Sequence, residues 1–215
     1  MKYLYLALFS IATALALFLT PYRKSFVWFG YSLVILLLPE YYSIYTTLTN
    51  SSLHSYVVYH INIPLFLILM FNFFKDFIVD EIVRKILFAT IVVNVIVSIG
   101  LTVYFYELRD FPGIQLNTMG IIMISICLYI ILTLEPIQGV PIYKHPMAWI
   151  CLGYIVFFSA TFFLNGIFNK LVEISSPYLA KIHRIINLSS NYFLYASIII
   201  GLIFSNRIAH SEIKK

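Results

Sequence analysis

Apolar residues run along this chain in long blocks, set apart by short polar breaks, at about 3–21, 25–46, 54–74, 85–106, 114–134, 146–169 and 182–206. Blocks of this length match a membrane-spanning helix, since a hydrocarbon core of about 30 Å takes roughly 20 helical residues. Four stretches contain no Asp, Glu, Lys or Arg at all: Ile86–Tyr106, Phe111–Leu134, Pro146–Asn169 and Ile185–Asn206. The uncharged run from Tyr41 to Phe74 is too long for one span, and TTLTNSS at 46–52 supplies the turn residues that divide it. The pattern therefore predicts an all-α polytopic membrane protein, a seven-transmembrane-helix bundle forming one domain over 1–215. The first block has the apolar centre of a signal peptide, but no A-x-A site closes it and Arg23 and Lys24 follow at once, so it reads as a retained first span.

Inside these blocks a few polar residues stand out. Residues 57–66, VVYHINIPLF, place His60, Asn62 and Pro64 in one apolar run. If spans two and three form a hairpin turning near Asn50, Glu40 and His60 lie level, about 10 Å inside the ends of their helices. A carboxylate alone at that depth is costly and either takes a proton or finds a partner; His60 is the partner this geometry offers. Pro39 and Pro64 lack an N–H, which deprives the carbonyls of Ile35 and His60 of their helical donors, and those carbonyls must find donors elsewhere. Asn62 lies about 200° around the helix from His60 and so faces a different neighbour.

Span seven adds His183, Asn187 and Asn191 at four-residue steps, one face of one helix. With Asn117 and Asn165 they gather in the same half of the bundle as Glu40, and Glu107 and Arg109 stand where they would close its mouth. The expected ligand-binding pocket is thus Glu40, His60, Asn187, Asn191 and His183. Against it stands the plain structural reading, in which polar side chains tie membrane helices together at about 0.6 kcal/mol per contact with no ligand involved.

Composition agrees with the pattern: 61% of the 215 residues are hydrophobic and only 11% charged, far from a soluble domain. The 14 Lys and Arg lie between the apolar blocks, as expected for contact with lipid headgroups rather than nucleic acid. Nine fall on the side of the 1–2, 3–4 and 5–6 connections and the C-terminus, and five on the other. This bias predicts an outside N-terminus and a cytoplasmic C-terminus. Ser10 with Ala14, Ala12 with Ala16 and Ser197 with Gly201 are spaced for close helix contact, while Tyr143 and Trp149 read as interfacial anchors.

Known chemistries find little footing. Cys127 and Cys151 form no CxxC motif, His54 and His60 lie on different helical faces, and span seven has no lysine between Ile185 and Asn206 for a retinal. A metal held by Glu40, His60 and His183 from three helices has no sequence signature. Alkaline-ceramidase-like hydrolases carry paired histidines in the last span, and His183 has no such partner at 187. No metal, cofactor or catalytic residue is assigned.

YHINIPLFLILMFNFF in span three, HPMAWICLGYIVFFSATFF in span six and KIHRIINLSSNYFLYA in span seven resemble a group of small uncharacterised bacterial seven-helix inner-membrane proteins, which are similar in turn to the membrane sensor portions of some histidine kinases. The resemblance implies a seven-helix bundle with a sensory or accessory role and transfers no catalytic residue. The tail SNRIAHSEIKK carries no output domain. The expectation is a non-catalytic sensor, scaffold or subunit of a membrane complex in a bacterial cytoplasmic membrane, with membrane lipids and a membrane-protein partner. A membrane-embedded lipid-processing enzyme and a small transporter are the alternatives.

Overall fold

Among the described residues seven α-helices form from the seven apolar blocks: α1 (Lys2–Phe18), α2 (Phe26–Leu48), α3 (Tyr56–Phe74), α4 (Glu81–Tyr104), α5 (Gly113–Leu132), α6 (Pro146–Ile174) and α7 (Pro177–Ile213). A computed structural model of the chain describes residues 2–19, 21, 23–49, 56–104, 111–137, 140–174 and 177–213, and no strand occurs among them. Five of the helices contain segments long and apolar enough to cross a membrane: Phe26–Thr46, Tyr56–Phe74, Glu81–Tyr104, Gly113–Leu132 and Lys181–Ser211. The apolar segments of the other two, Leu4–Phe18 and Pro146–Phe162, are shorter.

Local signals set the helix starts. Asp80 caps α4, its Oδ1 accepting the backbone N–H groups of Ile82 at 2.7 Å and Val83 at 3.3 Å. Pro146 and Pro177 open α6 and α7, where a missing N–H costs no helical hydrogen bond. Both helices outrun the apolar blocks that predicted them. Lys170, Glu173, Lys181 and Arg184 end a lipid-compatible run without ending a helix, and α7 reaches 37 residues, about 55 Å.

Helices α1, α2, α3, α5, α6 and α7 pack in that cyclic order and close a ring, with α4 outside it against α3. The outlying place of α4 fits its surface, since Ile86, Val93, Ile96 and Ile99 are all exposed and a membrane is the solvent that tolerates them. Close approach within the ring depends on small residues. A Cβ on Gly201 would stand 2.9 Å from the Pro146 carbonyl, and one on Gly153 would stand 3.0 Å from Ser197 Cβ, so α6 and α7 meet nearly backbone to backbone. Ala12 and Ala16 are buried in α1. A Cβ on Gly30 of α2 would lie 3.3 Å from the Ala16 carbonyl oxygen.

The end of the ring that carries the 1–2, 3–4 and 5–6 connections is rich in aromatic packing around a smaller cavity of about 240 Å³. Phe26, Phe29, Phe73 and Phe77 form an aromatic cluster there, Phe26 and Phe73 meeting edge-on at 5.1 Å. Arg23 lies over the Phe77 ring at 4.8 Å and donates through Nη1 to the Asp76 carbonyl. Burial, aided by the Arg23 charge, lowers the pKa of His145 to about 4 in the segment before α6, so its ring is neutral at pH 7. Trp149 Nε1 donates to the Tyr143 carbonyl at 2.7 Å, fixing the entry to α6.

The prolines interrupt α2 and α3 without ending them. Asn62 Nδ2 donates to the Ile35 carbonyl at 2.8 Å, the acceptor that Pro39 leaves without a helical donor. The asparagine from α3 thus repairs the break in α2, and does so in a buried setting where an unmet carbonyl is costly. Replacing Asn62 by Leu is expected to cost about 1 kcal/mol, read as the midpoint of an SDS unfolding titration. The same change should cost much less beside Pro39→Ala, which returns a backbone N–H to Ile35. Equal costs in both backgrounds would contradict this pairing.

Candidate functional site

Each helix of the ring, and not α4, contributes to a cavity of about 680 Å³. It occupies the end of the bundle that holds the N-terminus and the 2–3, 4–5 and 6–7 connections. Its wall carries Glu40 and Ser43 from α2, Tyr5 and Phe9 from α1, Tyr59 from α3, Met119 from α5, Tyr154, Phe158 and Thr161 from α6, and a face of α7. That face presents His183, Arg184, Asn187, Asn191, Leu194 and Tyr195. Polarity is graded along it. Arg184 and Asn187 are exposed, whereas Leu194 and Tyr195 are buried. The depths of the cavity are mostly aromatic: Phe9 stacks on Tyr195 at 4.2 Å and Tyr154 on Phe158 at 6.0 Å.

Glu40 is half-buried here, and two phenols hold its carboxylate. Tyr59 donates to Oε1 at 2.9 Å and Tyr5 donates to Oε2, tying α2 to both of its neighbours. Ser10 and Tyr41, within hydrogen-bond distance at 2.9 Å, add a second link between α1 and α2. Hydrogen bonds to a charged group are the stronger kind, about 1.5–3 kcal/mol each, so two of them offset much of the cost of placing an acid inside an apolar bundle.

The expected pairing of Glu40 with His60 is not made. His60 turns instead toward α4, its Nδ1 lying 3.0 Å from Thr102 Oγ1. The level was right and the face was not: one residue along a helix rotates a side chain by about 100°, so Tyr59, rather than His60, reaches the α2 carboxylate. His60 belongs to a separate buried network. Thr102 donates its one hydroxyl proton to the Ser98 carbonyl at 2.9 Å, while Gln115 Nε2 donates to that carbonyl at 2.8 Å and to Thr102 Oγ1 at 2.9 Å. Because the hydroxyl proton is committed, Thr102 accepts from His60, which assigns a proton to Nδ1. This network joins α3, α4 and α5 behind the cavity wall and does not line it.

Of the five residues expected to form a pocket, Glu40, His183, Asn187 and Asn191 thus share one cavity and His60 stands outside it. Asn191 Nδ2 donates to both the backbone carbonyl and Oδ1 of Asn187 at 2.8 Å, so the two act as one polar strip. Glu40, His60 and His183 do not come together as a metal site: among the described residues no group of three His, Cys, Asp or Glu does. Asn117 is absent from the cavity wall, and Glu107, Arg109 and the side chain of Asn165 lie outside the described residues.

Sequence reasoning missed the tyrosines. With 17 Tyr in the chain, Tyr5, Tyr59 and Tyr195 carry no mark that separates a carboxylate ligand from an interfacial ring. Tyr154 is a further case. It lines the cavity, and its hydroxyl is buried with no hydrogen-bond partner among the described residues.

A double-mutant cycle separates the two accounts of Glu40. Glu40→Gln combined with Tyr59→Phe should show a coupling of about 1 kcal/mol in SDS unfolding titrations, and combined with His60→Gln a coupling near zero. Strong coupling to His60 would restore the expected pair. Compared with known proteins, the chain matches no family model, and neither a curated protein nor a solved structure matches it significantly.

Proposed function

We propose that this chain is a non-catalytic ligand-responsive membrane protein, a sensor or subunit of a larger complex, whose cavity receives a small molecule with both polar and apolar parts. The reading takes the bundle as seven spans of a bacterial cytoplasmic membrane, with the N-terminus and the cavity outside and the C-terminus in the cytoplasm. The Lys and Arg bias supports that orientation. The resemblance to small seven-helix inner-membrane proteins and kinase sensor regions supports the sensory role.

One observation carries the proposal: a cavity of about 680 Å³ walled by six helices combines a carboxylate, a polar strip and Tyr154, whose buried hydroxyl has no partner among the described residues. The volume falls in the range of small-molecule sites, which are largely apolar with a few placed polar groups. A ligand there touches six helices at once, so preference for one helix spacing would shift the population of the bundle. A membrane-protein partner alongside the ring would read that shift.

Purification in mild detergent followed by native mass spectrometry tests this. The native chain is expected to retain a small molecule that Leu116→Trp, which fills the cavity, excludes. Tyr154→Phe should weaken retention several-fold while leaving the ligand-free protein equally or more stable, since it removes an unmet buried hydroxyl. Identical ligand content in the native chain and both variants would overturn the proposal.

A further inference from the structure

At the opposite end of the bundle a groove of about 490 Å³ lies between the last turn of α3 and the first two turns of α4. Phe71, Lys75 and Asp76 line it from the α3 side, and Arg84, Lys85 and Phe88 from α4. We propose that this groove binds the headgroup phosphate of an anionic phospholipid, with one acyl chain lying along α4.

Three cations line the groove with one carboxylate, Asp76, and Glu81 stands beside Lys85. Their existing partners are slight. Lys85 Nζ stands 3.0 Å from Glu81, but both side chains are largely exposed, and such a pair is worth little and exchanges easily. Lys75 Nζ donates to the neutral Asn72 Oδ1 at 3.0 Å. Arg84 makes no side-chain hydrogen bond or ion pair with any described residue, which leaves its planar fork of donors open to a phosphate.

The depth of the groove favours a lipid over a dissolved anion. Arg84 and Lys85 immediately precede the uncharged stretch Ile86–Tyr106, so they stand at the boundary where headgroups meet hydrocarbon. The wall on the apolar side is Phe71 against Phe88, with ring centroids 5.4 Å apart. Beyond it runs the exposed apolar surface of α4, including Val92, Val93, Ile96 and Ile99. Inorganic phosphate would gain nothing from those rings and that surface. An acyl chain would cover them. A basic recess between helix ends at this level is the arrangement that selects anionic headgroups.

Native mass spectrometry of the full chain, titrated with phosphatidylglycerol or phosphatidylcholine of matched acyl chains, tests the assignment. Phosphatidylglycerol is expected to bind more tightly, and Arg84→Gln and Lys75→Gln should each weaken it roughly fivefold. Arg84→Lys, which keeps the charge but loses the planar fork, should weaken it less than Arg84→Gln does, and phosphatidylcholine, whose choline offsets its phosphate charge, should lose less affinity than phosphatidylglycerol in all three variants. Phe88→Ala should weaken both lipids, and inorganic phosphate at millimolar concentration should displace neither. Equal affinity for the two lipids, no response to Arg84→Gln and Lys75→Gln, or displacement by inorganic phosphate would each overturn the proposal. All variants lie at an exposed groove, and monodisperse elution with native helix content separates lost binding from lost folding.

Discussion

A carboxylate inside an apolar bundle must be met by donors from its neighbours, and in this protein Glu40 is met by the phenols of Tyr5 and Tyr59. That arrangement ties the first three helices together at one level and leaves the acid on the wall of a cavity. Much else follows from the same constraint. Where water is scarce, every polar group needs an internal partner. The Ile35 carbonyl finds one in Asn62, and Thr102 collects His60 and Gln115. The exceptions then become informative. Among the described residues Ser25 Oγ, Gln115 Oε1, Asn117 Oδ1 and the Tyr154 hydroxyl are buried without a partner, and of these four residues Tyr154 alone lines the cavity.

The ring architecture separates two kinds of polar residue that look alike in the sequence. His60, Thr102, Ser98 and Gln115 bond among themselves between α3, α4 and α5 and hold α4 to the ring, with Gln115 Oε1 left buried and without a partner among the described residues. Glu40, His183, Arg184, Asn187 and Asn191 face an open volume. Only the second group is placed to meet a ligand. The aromatic cluster of Phe26, Phe73 and Phe77 packs the opposite end of the bundle.

The helices were legible because lipid imposes a strong rule: seven apolar blocks became seven helices, with ends shifted where charge stopped a block but not a helix, as at Lys170 and Lys181. The hairpin of α2 and α3, the level of Glu40 and the unmet carbonyl left by Pro39 were legible for the same reason, since chain geometry fixes depth. Rotation about the helix axis was not. Whether residue 59 or 60 meets the acid depends on how α3 packs against both α2 and α4, and the apolar pattern around His60 is too uniform to orient the helix. Gln115 was a missed signal, a polar side chain fully buried in α5. The shared face of His183, Asn187 and Asn191 was readable because four-residue spacing fixes it without reference to any neighbour.

Infrared difference spectroscopy bears most directly on the Glu40 cluster. Subtracting the spectrum of the Glu40→Gln protein from that of the native chain isolates the carboxyl bands of this one residue. They are predicted to shift when Tyr59 or Tyr5 is replaced by Phe and to stay in place when His60 is replaced by Gln. Bands that move with His60 and ignore both tyrosines would contradict the account.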